Sequence, residues 1–134
     1  MSAADIAVQA FRQLEPEEFR VLSTIESAMS RYEYVPEDAI QRLSKLTQRE
    51  LNYHLSRLTQ LGLVRRWAGP YTGYALSTAG YDCLSINALV RANILEAFGK
   101  PLGVGKEADV YDALTPEGKR VAVKFHRLGR TSFR

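Results

Sequence analysis

The segment Gly103–Lys124 constrains this chain more than any other. It reads Gly-Val-Gly-Lys-Glu-Ala-Asp-Val-Tyr from Gly103, breaks at Thr115-Pro116-Glu117-Gly118, and resumes as Val121-Ala122-Val123-Lys124. Two strand-like runs around a tight turn make a hairpin, and a glycine loop leads into it. Glycine adopts backbone conformations that other residues avoid and lets the chain approach a bound oxygen closely. Successive N–H groups in such a loop form an anion-binding concavity. Side chains alternate along a strand, so Ala122 and Lys124 share one face while Val121, Val123 and Phe125 share the other. The first face offers a small floor for a flat base at Ala122, a cation for phosphates at Lys124 and a cover at Val110. Gly103, Val104, Gly105, Lys106, Glu107, Ala108, Val110, Ala122 and Lys124 are therefore the candidate nucleotide-binding set. A surface hairpin with a solvated lysine is the plainer alternative.

The chain has 134 residues, enough for one domain or two small ones. Its net charge is only +3, but residues 1–40 hold three Lys/Arg against eight Asp/Glu, and the remainder holds fifteen against seven. An acidic start and a basic remainder suggest an anionic partner for the second part. The single cysteine, Cys83, excludes an intrachain disulfide and reads as a small buried hydrophobe. Apolar runs fall short of the roughly 18–20 residues that span a bilayer. The N-terminus lacks the basic segment and apolar core of a secretory signal. A cytoplasmic protein without membrane contact is the expectation.

Helical signals begin at Pro16-Glu17-Glu18, with proline and acids in a first turn. Phe19, Leu22, Ile25, Ala28 and Met29 recur at helical spacing. Pro36-Glu37-Asp38 opens a shorter helix, and Thr47-Gln48-Arg49-Glu50 matches a capping box that opens a third. Leu51, Leu55 and Leu58 then face the core, and Gly62 suits the helix end. Leu63–Trp67 and Tyr74–Leu76 pair as a hairpin, and Ser77 or Thr78 caps a fourth helix. Three helices and a hairpin give a winged helix-turn-helix, so the fold class is α+β. The domain divisions are 1–90 for the winged helix and 91–134 for the unit carrying the glycine loop.

The third helix of a winged helix is the usual nucleic-acid reader. Its outward face carries Gln48, Arg49, Asn52, Tyr53, Ser56 and Arg57, and the hairpin adds Arg65 and Arg66, with Trp67 and Tyr71 near the wing tip. Arg49, Asn52, Arg57, Arg65 and Arg66 are the candidate nucleic-acid contacts, arginines serving phosphates and aromatics serving unpaired bases. A solvated helix face, with Trp67 in the core, is the competing reading. His54 reads as structural, and His126 has no metal-ligand neighbours in sequence, so no metal ligand is expected in this chain.

The loop follows the protein-kinase pattern G-x-G-x-x-G-x-V at Gly103, Gly105, Ala108 and Val110, with alanine in the third glycine's place, and Val121–Lys124 follows V-A-I-K. With Val123-Lys124-Phe125-His126-Arg127-Leu128-Gly129-Arg130-Thr131-Ser132-Phe133-Arg134 and Tyr32-Glu33-Tyr34-Val35-Pro36, the chain resembles the RIO family of atypical serine/threonine protein kinases. It resembles the subfamily that places a winged helix before the kinase domain. The resemblance implies an ATP-dependent kinase or ATPase acting in small ribosomal subunit maturation, with the pre-small-subunit particle and its rRNA as partners. It implies ATP and Mg2+ as cofactors, Gly103–Val110 as the phosphate loop and Lys124 as the phosphate-binding lysine. Many members of that subfamily carry serine where Ala108 stands. The catalytic carboxylate and the metal ligands of a kinase lie beyond its lysine strand, so they are expected after Arg134. The chain alone is then expected to be inactive and to hold only the first strands of a kinase-like N-lobe, with an apolar sheet face left bare. The alternative is a nonenzymatic winged-helix transcription regulator.

Overall fold

The computed structural model describes residues 1–104 and 107–127. The chain opens with a helix that the patterning from Pro16 onward does not announce. This is α1 (Ala3–Phe11), capped by the Ser2 side chain, with Asp5 returning the bond to the Ser2 N–H. Its buried residues are Ala4, Ala7, Val8 and Ala10. Small side chains along that stripe let α1 lie close against α5 (Thr78–Arg91).

The helices and hairpin of the winged helix follow in the expected order, α2 (Pro16–Ala28), α3 (Glu37–Ser44), α4 (Gln48–Gln60), β2 (Val64–Ala68) and β3 (Thr72–Leu76), and a short strand that the sequence did not announce, β1 (Val35–Pro36), lies between α2 and α3. Both signals at the ends of α4 act as their chemistry demands. The Thr47 hydroxyl accepts from the Glu50 N–H at 3.1 Å and the Glu50 carboxylate accepts from the Thr47 N–H at 2.9 Å. At the other end Gly62 takes φ +81°, its N–H donates to Thr59 O at 3.1 Å, and the Leu63 N–H donates to Leu58 O at 3.0 Å. Together these form a Schellman stop, with the buried pair Leu58 and Leu63 as its apolar contact. The three strands form one antiparallel sheet in the order β1-β3-β2. Gly80 lets α5 sit against the start of this hairpin, because a Cβ there would lie 2.2 Å from Leu63 O.

The remaining strands are β4 (Ala97–Val104), β5 (Ala108–Leu114) and β6 (Arg120–His126), an antiparallel meander. The turn at 115–118 closes as expected: the Gly118 N–H donates to Thr115 O at 2.9 Å, and Gly118 takes φ +84°. The bare apolar face does not materialise. Tyr111 and Phe125 belong to the same buried core as Ala4, Ala7, Cys83 and Ile86, and Phe98, Tyr111 and Phe125 form a mutual ring cluster. Tyr111 donates its hydroxyl proton to Asp5 on α1, and Arg12 donates to Phe98 O at 2.9 Å. The two helices that a winged helix leaves spare, α1 and α5, thus cover one face of the second sheet.

Candidate nucleotide face and winged-helix face

The open face of the second sheet is built by strand alternation and register. Asp109, Tyr111 and Ala113 are buried along β5, and the residues between them point the other way. Val110 lies opposite Lys124, Asp112 opposite Ala122, and Gly103 opposite Val110. Gly103, Val110, Ala122 and Lys124 therefore meet on one patch, with Ala122 and Lys124 exposed. Lys124 makes no hydrogen bond or ion pair with any described residue, so a cation stands on an open sheet face without an internal counter-charge. A phosphate-bearing ligand fits this donor set, since Ala122 leaves room beside the cation and Val110 gives apolar cover. Asp112 on the same face is engaged by Arg120, at 3.3 Å. Glu107 is exposed and Ala108 half-buried, opposite His126. Gly105, Lys106 and the Val104 side chain lie outside the described residues.

A buried clamp fastens this sheet to the helices. Arg127, just past β6, reaches Asp82 of α5 at 2.5 and 3.0 Å and Asp109 of β5 at 3.0 Å. Burial alone would push the guanidinium down, yet the two carboxylates hold it above its ordinary value. A charge buried in this way is tolerated only when paired. Nothing in the local sequence announces the clamp, because Asp82 and Arg127 stand 45 positions apart. The signal available was two acids, Asp82 and Asp109, at positions whose spacing marks them as inward.

On the winged helix the five proposed contacts divide. Arg49 and Asn52 are exposed on α4. Arg66 joins Asn52, Ser56, Gln60, Glu37 and Tyr74 around a groove of about 370 Å³ between α4 and the sheet. Arg65 is exposed, and alternation puts it on the opposite side of β2. Arg57 is already committed: its Nε donates to Glu18 Oε2 at 2.7 Å and its Nη2 to Gln13 O at 2.8 Å. Trp67 is neither in the core nor free. It stacks on Tyr34 at 5.5 Å between ring centroids, meets Tyr71 edge-on at 4.9 Å, and lies over Gly69, where a Cβ would approach it to 2.2 Å.

Behind α4 lies a second buried charge. Glu18 is fully buried and accepts from Arg57, from His54 at 2.9 Å and from the Glu15 N–H at 3.0 Å. Burial pushes its carboxyl up, but the Arg57, Glu15 and His54 hydrogen bonds outweigh that and hold it below the usual glutamate value.

Comparison with known proteins agrees with this architecture. Residues 11–92 match the family model described as Rio2, N-terminal. The chain is 48% identical over 105 residues to the RIO-type serine/threonine-protein kinase Rio2 of Methanocaldococcus jannaschii, covering 78% of this chain and 38% of that protein. It is 37% identical over 131 residues to the serine/threonine-protein kinase rio2 of Schizosaccharomyces pombe, covering 97% of this chain and 38% of that protein. The crystal structure of the Rio2 kinase–ADP/Mg2+–phosphoaspartate complex from Chaetomium thermophilum superposes with a TM-score of 0.85 at 32% identity, over 95% of this chain and 38% of that one. The chain therefore spans well under half the length of the relatives it matches.

Proposed function

The chain belongs to the Rio2 family of serine/threonine protein kinases, and we propose that it supplies the ATP-phosphate grip and the RNA-directed module of an ATP-dependent Rio2-type kinase or ATPase. The observation that carries this reading is the shared open face of Gly103, Val110, Ala122 and Lys124. In it the glycine loop holds phosphate oxygens through backbone N–H groups, Lys124 neutralises their charge, and Ala122 with Val110 sandwiches the base. ATP with Mg2+, when bound, supplies the phosphoryl group; these residues bind and orient it. The ADP and Mg2+ of the Chaetomium complex support the choice of ligand. In kinases the carboxylate and metal ligands that perform transfer lie beyond the lysine strand, outside this patch.

The test uses the protein extended to the length of its relatives. There Lys124→Ala lowers ATP turnover by on the order of a hundredfold, while Lys119→Ala, exposed beyond the turn, leaves it unchanged. Equal activity of the two variants defeats the assignment.

For the winged helix, the same proposal assigns Arg49, Asn52, Arg65 and Arg66 to rRNA of the pre-small-subunit particle, in the cytoplasm. Among the described residues, no helix is long and apolar enough to cross a membrane. Arg57 leaves the contact set because it already neutralises Glu18. RNA binding should weaken with salt by a slope of about 0.7–0.9 per phosphate contact. Reversing Arg66 should reduce affinity uniformly across RNA sequences, since backbone contacts position rather than specify. Binding indifferent to both salt and Arg66 would reassign the module to protein docking.

A further inference from the structure

The junction of α2 and α4 brings together three side chains that neither the nucleotide face nor the RNA face uses. Glu15 caps α2, Glu17 sits in its first turn, and His54 lies midway along α4. Each offers a donor atom, and the three atoms lie within 4.8 Å of one another. We propose that Glu15, Glu17 and His54 form a divalent-metal site of the zinc class, with water completing the coordination.

Acids at a helix start are ordinary by themselves, because the dipole favours them there. The histidine is what ordinary capping leaves unexplained. Its side chain is only 6% exposed, and Nδ1 lies 2.9 Å from Glu18 Oε2. Glu18 is itself gripped by Arg57 at 2.7 and 3.3 Å and by the Glu15 N–H at 3.0 Å. An ionised carboxylate only accepts, so the proton of a singly protonated ring sits on Nδ1. The lone pair is then on Nε2, which has no hydrogen-bond partner among the described residues. A carboxylate behind one ring nitrogen is the arrangement that orients metal-bound histidine and raises its basicity.

Charge and donor type agree with that geometry. Three carboxylates, Glu15, Glu17 and Glu18, stand against the Arg57 guanidinium at this junction, an excess of acid that a divalent ion offsets. Tyr53 donates to Glu15 Oε2 at 3.1 Å, and Arg57 stays 3.8 Å from that oxygen, nearer Glu18. Glu17 makes no hydrogen bond or ion pair with the described residues, so its carboxylate is uncommitted. One imidazole with two carboxylates suits zinc-like ions better than magnesium, which keeps its waters. Three protein donors plus water is an open site. A bound ion would pin the start of α2 to α4, whose outer side is the proposed RNA face.

The experiment titrates Zn2+ alone into the untagged, chelator-stripped chain by calorimetry, with ring 15N spectra of His54 as a second readout. Expected are one ion per chain, a shift confined to Nε2, and higher thermal stability with zinc. Glu17→Gln, whose side chain holds nothing else, should lower affinity at least tenfold while the apo fold is retained by circular dichroism. His126→Gln, on the exposed edge of β6, should leave affinity unchanged. Cys83 is buried and its thiol is pushed up to about 12, so it does not compete as a ligand. No saturable binding, binding unaffected by Glu17→Gln, or binding lost with His126→Gln would each overturn the site.

Discussion

Replacing Glu18 with alanine probes the α2–α4 junction most directly. In the native chain the carboxylate is fully buried, and its partners are the Arg57 guanidinium, the His54 ring and the Glu15 N–H. Removing it leaves Arg57 without its closest counter-charge and a nearly buried His54 N–H without an acceptor. Breaking a buried ion pair from one side costs about 3–5 kcal/mol. For a chain of this size that is a fall in Tm of roughly 10–20 °C. Glu18→Gln keeps the volume and one acceptor oxygen, so about 2 kcal/mol is expected. The assay is urea unfolding in the presence of a chelator, with the m-value required to stay constant.

The pH dependence supplies an independent check. Because the folded carboxyl lies below the usual 4.5, the unfolded chain binds more protons in the interval between the two values. The contribution of Glu18 is thus complete above about pH 5 and disappears as pH falls through the folded value. The gap between wild type and Glu18→Gln should narrow as pH falls into the acid range. In a double-mutant cycle, Glu18→Ala with Arg57→Ala should cost less than the two losses combined, by about 1–3 kcal/mol. A loss below about 1 kcal/mol for Glu18→Ala, where buried-pair breakage predicts several, or a gap indifferent to pH, would refute the account.

Further outcomes follow from other parts of the fold. Arg127→Ala removes the cation shared by Asp82 and Asp109 and should cost about 3–5 kcal/mol; hydrogen exchange should show β5 and β6 losing protection before α2 and α4. Cys83 should resist thiol reagents at pH 8 in the native chain, since burial, aided by Asp82, pushes its thiol to about 12; reaction should follow urea unfolding, and a native-state burst would contradict its placement. Trp67→Ala deletes a stack on Tyr34 and an edge contact with Tyr71, so about 1–3 kcal/mol should be lost by thermal unfolding without loss of the fold. A completely unfolded variant would place Trp67 in the core after all.

The features legible in the sequence are those whose physics closes within a few residues. The Thr47–Glu50 box, the stop at Gly62, the turn at 115–118 and the alternation of Ala122 and Lys124 each depend on neighbours that any extended reading already contains. That is why the winged helix and the hairpin under the proposed nucleotide face are legible from the residues alone. Helix α1 escaped because its buried stripe is mostly alanine, whose short side chains become a packing surface only against α5. Tertiary structure alone decided what the charges do. Arg57 and Glu18 stand 39 positions apart, and Arg127 and Asp82 stand 45 apart. In sequence they are ordinary solvated residues of a helix and a strand end. Burial removes their water, and only a partner brought in by the fold can replace it. The same closeness ties Arg57 to Glu18 rather than leaving it for the proposed RNA face, sets Arg65 and Arg66 on opposite sides of a strand, and turns His54 toward Glu18.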